Sequence, residues 1–141
     1  MKAQRLQSTI AVALGLVAFI AMIAMHAATP SRAIAASDGK AVFDTNCSTC
    51  HGGNGQGQPG VFPPLAGNTE VTAKDPKPII GIVLHGLNVP KTIMGKQYSG
   101  GMPSWSSLSN ADIAAVLTYV RSAWGNKASA VTEAEVAAVR K

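Results

Sequence analysis

The chain has 141 residues, enough for one small domain and a short appendage but not for two full domains. Its net charge of +5 depends on the first 36 residues, which carry Lys2, Arg5 and Arg32 and no acidic residue. The remainder holds nine lysines and arginines against seven acidic residues, a balance of +2, with no basic block interleaved with aromatics. This distribution excludes nucleic acid as the expected partner.

Residues 1–36 have the pattern of a targeting segment. A short basic start is followed by residues 10–25, which are all apolar or glycine. This length lies between the roughly 7–15 residues of a secretory signal core and the roughly 20 of a spanning helix. Two interpretations stay open: a signal peptide cleaved near Ala35 or Ala36, or an anchor in the inner membrane through residues 10–28. Both place the rest of the chain in the periplasm.

The first helix of the exported part is predicted at residues 39–44. Ser37 or Asp38 can cap its start, and Val42 and Phe43 are its expected core side chains. The helix runs into the sequence CSTCH, and a long loop follows directly.

Two irregular stretches are expected in the middle of the chain. Residues 52–69 contain six glycines and three prolines, so neither a helix nor a central strand is expected there. A helix that starts at Asp75-Pro76 is predicted to stop near Gly86. The second irregular stretch is expected from residue 88 to residue 107.

The clearest helix comes next. Ser109 is its predicted cap, Asp112 completes a capping box, and Gly125 is its predicted end. One apolar stripe at helical spacing marks its core face: Ile113, Val116, Leu117 and Val120. Thr132 and Glu135 form a second capping box for a short last helix. A few short helices with long loops form only a small hydrophobic core. Such a chain usually needs a crosslink, such as a disulfide or a metal, or a large prosthetic group in order to fold stably.

The sequence CSTCH, residues 47–51, is the centre of the predicted chemistry. A zinc site needs about four ligands, whereas this chain has two cysteines and, besides His51, only two other histidines. A thioredoxin-like dithiol should follow a strand, and a disulfide between Cys47 and Cys50 would constrain little of the chain. Blue copper needs two histidines, one cysteine and a β-sandwich, and no strands are predicted here.

C-x-x-C-H is the attachment signature of c-type haem. Two thioether bonds, from Cys47 and Cys50, would fix the porphyrin edge against one turn of chain, and His51 would lie under the iron. Export supports this interpretation, because the attachment takes place outside the bacterial cytoplasm. The sequence therefore predicts one covalently bound haem c with His51 as an iron ligand.

Three side chains are candidates for the second iron ligand. Met102 lies in the sequence GGMPSW, where glycines permit close backbone approach and Pro103 stiffens the loop. A methionine in such a loop is not explained by a helical core stripe, so Met102 is favoured over Met94. His85 lies in an apolar helix and is interpreted as structural.

Together, CSTCH, the upstream Gly39 and Phe43, and the sequences FPPLAG, GGMPSW and LTYV resemble a class I bacterial cytochrome c over residues 38–126. The chain is similar to haem domains associated with copper nitrite reductases, haem-copper oxidases and periplasmic dehydrogenases. The resemblance implies an all-α fold of three to five short helices and long loops wrapped around one haem. It implies a haem domain at residues 37–126, after the targeting segment 1–36, with residues 127–141 as a C-terminal helical extension.

The resemblance also assigns roles to side chains. The first helix should cross the helix that begins after Ser109, with Gly39 and Phe43 packed against Tyr119. The carbonyl of Pro63 should accept the proton on the free nitrogen of His51, although the neighbouring Pro64 leaves a second carbonyl as a candidate.

Three further side chains are placed around the haem by the resemblance. Leu65 should pack on its face, and Tyr98 and Trp105 are candidate donors to a haem propionate. Plain packing stays open as the role of Trp105.

The function implied is that of a mono-haem electron carrier with His51 and Met102 as iron ligands, and not of an enzyme. Its partners would be a redox donor and a redox acceptor of the periplasm or membrane, such as a reductase, oxidase or dehydrogenase. Two alternatives stay open: a haem subunit held permanently in a larger oxidoreductase, and an open-site haem sensor or enzyme.

Overall fold

The computed structural model of the protein describes residues 37–88 and 90–141. The predicted targeting segment, residues 1–36, lies outside the described residues. Five helices and one antiparallel hairpin form this part of the chain. In chain order they are α1 (Gly39–Asn46), α2 (Ser48–His51), α3 (Lys77–His85), β1 (Lys91–Ile93), β2 (Lys96–Tyr98), α4 (Asn110–Ser122) and α5 (Glu133–Arg140). Within the described ranges, no helix has the length and hydropathy needed to cross a bilayer.

Side-chain caps fix the starts of the helices. Asp38 accepts from two backbone amides at the start of α1, and both predicted capping boxes are present, on α4 and on α5. At α3 the capping position is Pro76 rather than Asp75, whose carboxylate accepts from the amide of Lys77 at 3.0 Å.

Helix α4 ends at Ser122, before the predicted stop at Gly125. Ala123 is extended and Trp124 has a φ of 53°, so the chain has already left the helix when it reaches the glycine. The side chain of Asn126 donates to the carbonyl of Val120 at 2.8 Å. This hydrogen bond satisfies one of the carbonyls that a helix end leaves unpaired, which explains the earlier stop.

Helices α1 and α4 cross in direct backbone contact. A Cβ atom at Gly39 would clash with the carbonyl oxygen of Ala115, so only glycine fits at this crossing. Phe43 is fully buried, and its ring centroid lies 5.6 Å from that of Tyr119. The crossing expected from Gly39, Phe43 and Tyr119 is therefore the one observed.

Apolar side chains pack in two clusters that share α4. One joins α3, α4 and α5, with Ile80, Ile113 and Val136 all fully buried. The other joins α1 to α4 and contains Phe43 and Val71. The last helix thus packs on the same core as α3 and α4.

The hairpin departs from the sequence-based expectation, which makes residues 88–107 irregular. Strands β1 and β2 pair in an antiparallel register across a two-residue turn in which Met94 and Gly95 both have positive φ, 50° and 74°. This is the geometry of the preferred tight hairpin turn, but strands of three residues are too short to show an alternating pattern. The all-α prediction is correct for the helices and incomplete at this hairpin.

Candidate functional site

One apolar pocket collects every side chain that the sequence singled out for cofactor binding. These eight line its wall: Cys47, Cys50, His51, Pro63, Leu65, Tyr98, Met102 and Trp105. They come from separate elements, namely the α1–α2 junction, the loop after α2, the hairpin and the loop before α4. The fold thus brings together residues that are up to 58 positions apart in the sequence.

The remaining wall is mostly hydrophobic. Helix α3 contributes Ile79, Ile82 and Val83, and α4 contributes Val116, Leu117 and Val120. Sequence reasoning placed the α4 side chains in a core stripe, and they form the floor of the pocket. It missed Val71 and Ile93, since neither lies in a helix or a recognisable strand pattern.

The two cysteines lie about one helical turn apart. Cys47 joins α1 to α2, and its carbonyl accepts from the amide of His51 at 3.0 Å. Both cysteine side chains are half-buried. Burial, with a smaller contribution from Cys50, raises the pKa of the unmodified Cys47 thiol to about 11, so this thiol is protonated at neutral pH before haem is attached.

His51 is buried and held by one hydrogen bond. Its Nδ1 lies 3.0 Å from the carbonyl oxygen of Pro63, and since a carbonyl can only accept, Nδ1 carries the proton. Nε2 then keeps the lone pair that a metal needs. Burial lowers the pKa of His51, although the hydrogen bond to Pro63 opposes this, so the imidazole is in its neutral, ligating form.

Glycine at position 57 allows the loop to reach His51. A Cβ atom there would lie 2.6 Å from the carbonyl oxygen of Pro63, and the φ of Gly57 is +67°. The amide of Gly57 donates to the carbonyl of His51 at 2.8 Å. One loop thus forms hydrogen bonds with both the backbone and the ring of His51.

The same loop is tied to the end of α4 by a buried asparagine. The Asn126 side chain donates to the carbonyl of Leu65 at 3.0 Å and accepts from the amide of Gly67 at 2.9 Å. Leu65 and Ala66 in turn donate to the carbonyl of Gly55. No local pattern indicates this role for Asn126, because only the fold brings it to the loop.

Met102 is positioned by a small backbone bridge. Its amide and carbonyl pair with those of Leu87 at 3.1 and 2.9 Å. A Cβ atom at Gly86, where φ is +78°, would lie 2.6 Å from the Met102 carbonyl oxygen. The end of α3 therefore needs glycine in order to hold the methionine loop this closely.

Of the three candidates for a second ligand, only Met102 lines the pocket. Met94 lies on the hairpin turn, 50% exposed, and His85 is the exposed last residue of α3. Two thiols one turn apart, a neutral histidine, a methionine and hydrophobic walls together fit a covalently attached haem. The site is therefore that of a haem protein.

Comparison with known proteins agrees. Residues 36–124 match the family described as Cytochrome c. One cytochrome c-552 of Thermus thermophilus is 41% identical over 97 residues, covering 67% of this chain and 65% of that protein. A second cytochrome c-552 from Thermus thermophilus is 41% identical over 93 residues, 64% of this chain and 70% of that protein. The chain thus spans about two thirds of these relatives.

Similarity extends to parts of larger proteins. The cytochrome c subunit of the quinone alcohol dehydrogenase of Gluconacetobacter polyoxogenes is 36% identical over 104 residues, 72% of this chain and 22% of that subunit. Subunit CcoP of the cbb3-type cytochrome c oxidase of Azospirillum brasilense is 38% identical over 99 residues, 67% of this chain and 30% of that subunit. The chain belongs to the cytochrome c family, and haem c attaches to it through Cys47 and Cys50.

Proposed function

We propose that this protein is a mono-haem electron carrier with His51 and Met102 as its two axial ligands. The observation that carries the proposal is the shared pocket: His51, oriented by Pro63, and Met102, pinned by Leu87, line the same cavity as the two cysteines. Haem c supplies reversible one-electron exchange at its iron. With two strong protein ligands, the iron has no free position for a substrate. The protein therefore transfers electrons and neither makes nor breaks covalent bonds in a substrate.

The surroundings favour the reduced state. Methionine opposite histidine raises the potential relative to two histidines. The pocket walls formed by α3 and α4 are hydrophobic, and burying the extra positive charge of the oxidised state in such a place costs free energy.

Tyr98 and Trp105 serve as donors to the haem propionates in this proposal. Tyr98 is only 6% exposed and, like Trp105, lines the pocket. A tyrosine hydroxyl in largely apolar surroundings usually finds a hydrogen-bond partner, and a propionate provides one. Leu65 packs on the haem face.

Redox partners meet the protein at the pocket mouth, near Cys47, Phe62 and the Met102 loop. Redox encounters of this kind use small interfaces that separate quickly. We infer that the donor and acceptor are a periplasmic or membrane dehydrogenase, reductase or oxidase, because the relatives include subunits of a dehydrogenase and an oxidase. Residues 1–36 deliver the haem domain, residues 37–126, and the helical residues 127–141 to the periplasm, either as a cleaved signal or as an anchor.

Absorption spectra of the haem-loaded protein test this function. The oxidised, reduced, and reduced-plus-carbon-monoxide forms are recorded. A low-spin c-type spectrum with the methionine–iron charge-transfer band, unchanged by carbon monoxide, is expected. A high-spin spectrum or ready carbon monoxide binding would instead identify an open site and a sensor or enzyme.

The similarity to dehydrogenase and oxidase subunits favours one second candidate, a permanent subunit of a larger oxidoreductase. Purification of the native protein at low detergent distinguishes the two. A free carrier elutes at the size of a single chain, whereas a subunit elutes with its enzyme at fixed stoichiometry.

A further inference from the structure

The most unusual side chain outside the haem ligands is Arg121, in the last turn of α4. It is 0% exposed, although arginine is almost never fully buried unless it is paired. Its Nη1 donates to the carbonyls of Val71 and Ala73 at 2.6 and 3.0 Å. Its Nε and Nη2 donate to the carbonyl and hydroxyl oxygens of Ser129 at 2.8 and 3.3 Å.

All of these acceptors are neutral. Over residues 37–88 and 90–141 the salt bridges are Lys40–Asp44 and Lys91–Glu70, and neither involves Arg121. Glu135 is close enough for Arg121 to help lower its pKa, but the Glu135 carboxylate hydrogen-bonds to Thr132. The guanidinium is therefore a full positive charge removed from water and solvated by backbone dipoles.

Residues that hold or flank this charge line the haem pocket. Val71, whose carbonyl holds Nη1, lines the pocket with its side chain. Leu117, one turn before Arg121 on α4, and the adjacent Val120 also line it. Val71, Leu117 and Val120 are hydrophobic and buried, so water between them and the guanidinium does little to screen the charge.

We propose that Arg121 is a fixed buried charge that raises the reduction potential of the haem, a role that rests on the proposed electron-carrier function. In each cycle the haem takes one electron from the donor protein and gives one to the acceptor. The oxidised haem carries one more positive charge than the reduced haem. A nearby fixed cation repels that extra charge and so stabilises the reduced state.

A purely structural role is the competing explanation. Arg121 ties the loop at Val71 and Ala73 to the segment at Ser129, and its planar fork of five donors suits that task. A clamp, however, does not require a charge. The two roles differ in what happens to the potential when the charge is cancelled while the clamp stays in place.

Substitutions at Ser129 separate the electrostatic role of Arg121 from its structural role. Ser129 is exposed, and its hydroxyl lies 3.3 Å from Nη2 of Arg121. Ser129→Asp places a carboxylate against the guanidinium, whereas Ser129→Asn, of nearly the same size, adds no charge. Reduction potentials of the haem-loaded full chain are measured by spectroelectrochemical titration at low and high salt, with thermal unfolding recorded in parallel.

The proposal expects Ser129→Asp to shift the potential downward and Ser129→Asn to leave it unchanged. The part of the downward shift that remains at high salt is attributed to pairing with the buried guanidinium, because salt screens the exposed carboxylate itself far more strongly. Lys127→Gln removes an exposed cation, and any shift it causes should disappear at high salt. Equal potentials for the two Ser129 variants would overturn the proposal.

Substitution of Arg121 itself gives a second, independent comparison. Arg121→Lys keeps the charge and loses the fork, so it should lower the unfolding temperature but hold the potential near that of the wild type. Arg121→Gln loses both the charge and the planar donor geometry, and it should lower both the unfolding temperature and the reduction potential. Equal shifts of potential in these two variants mean that the clamp alone matters and contradict the proposal. Absence of the methionine–iron band in the wild type would refute His51/Met102 ligation separately, since the potentials can still be compared.

Discussion

The two sides of the haem pocket are held in different ways. On the His51 side, one loop grips the ligand through the Pro63 carbonyl and the Gly57 amide, and Asn126 ties that loop to α4. On the Met102 side, a two-bond bridge to Leu87 and single hydrogen bonds from Gly100, Ser104 and Trp105 hold the loop, and the two chain neighbours of Met102 are exposed. Regions with few buried contacts open first. We therefore expect the methionine side of the site to open first.

The largest effect is expected for Met102→Leu. Leucine fills the same space and cannot bind iron, so the methionine–iron band should vanish, the potential should fall sharply and carbon monoxide should bind the reduced protein. Spectra and a redox titration measure all three. Met94→Leu is the matched control, because Met94 is exposed on the hairpin turn. Loss of the band in Met94→Leu alone would reverse the choice of ligand.

An intermediate effect is expected for Gly86→Ala. The added Cβ would lie 2.6 Å from the Met102 carbonyl oxygen, at a φ of +78°, so the bridge to Leu87 must shift and the methionine–iron bond should weaken. Carbon monoxide binding rates measure this. Gly67→Ala is the control: its φ is +67° but nothing lies within 4 Å of the added atom. It should cost about 1 kcal/mol of stability from backbone strain and leave the binding rate unchanged.

The smallest effect on ligation is expected for Asn126→Ala. This change removes hydrogen bonds to Leu65, Gly67 and Val120 and should lower the free energy of unfolding by about 2–3 kcal/mol. Chemical denaturation measures the loss. Because Pro63 and Gly57 still hold His51, the methionine–iron band should persist. If Asn126→Ala lowers the free energy of unfolding and also abolishes the methionine–iron band, the two sides of the pocket form one cooperative unit. The proposed difference between the two sides is then wrong.

Much of the site could be predicted because its chemistry is local in the sequence. Cys47, Cys50 and His51 lie within five residues, so their types and spacing predict the haem attachment, and Met102, which follows two glycines, lines the same pocket. Capping boxes likewise fix the starts of α4 and α5 from four residues each. These features depend on a single turn of chain.

The parts that could not be predicted depend on distant segments. The hairpin arises from strands of three residues, and its stability comes from packing over the pocket rather than from local preference. Arg121 and Asn126 are polar residues that are usually exposed. Their burial follows from acceptors 50 and 61 residues away in the chain, which no local pattern reveals.

The crossing of α1 with α4 has a consequence for how the chain folds. Beside it, Ser37 and Asp112 hydrogen-bond although they are 75 positions apart, so the crossing closes a very long loop. Bringing the ends of such a loop together costs chain entropy before any contact can stabilise it. Contacts over this sequence distance therefore slow folding. A haem bonded at Cys47 and ligated by Met102 would divide that loop into shorter ones. In the proposed ligation, the bond between the iron and the Met102 sulfur would also act as a crosslink that guides the polypeptide to its final topology.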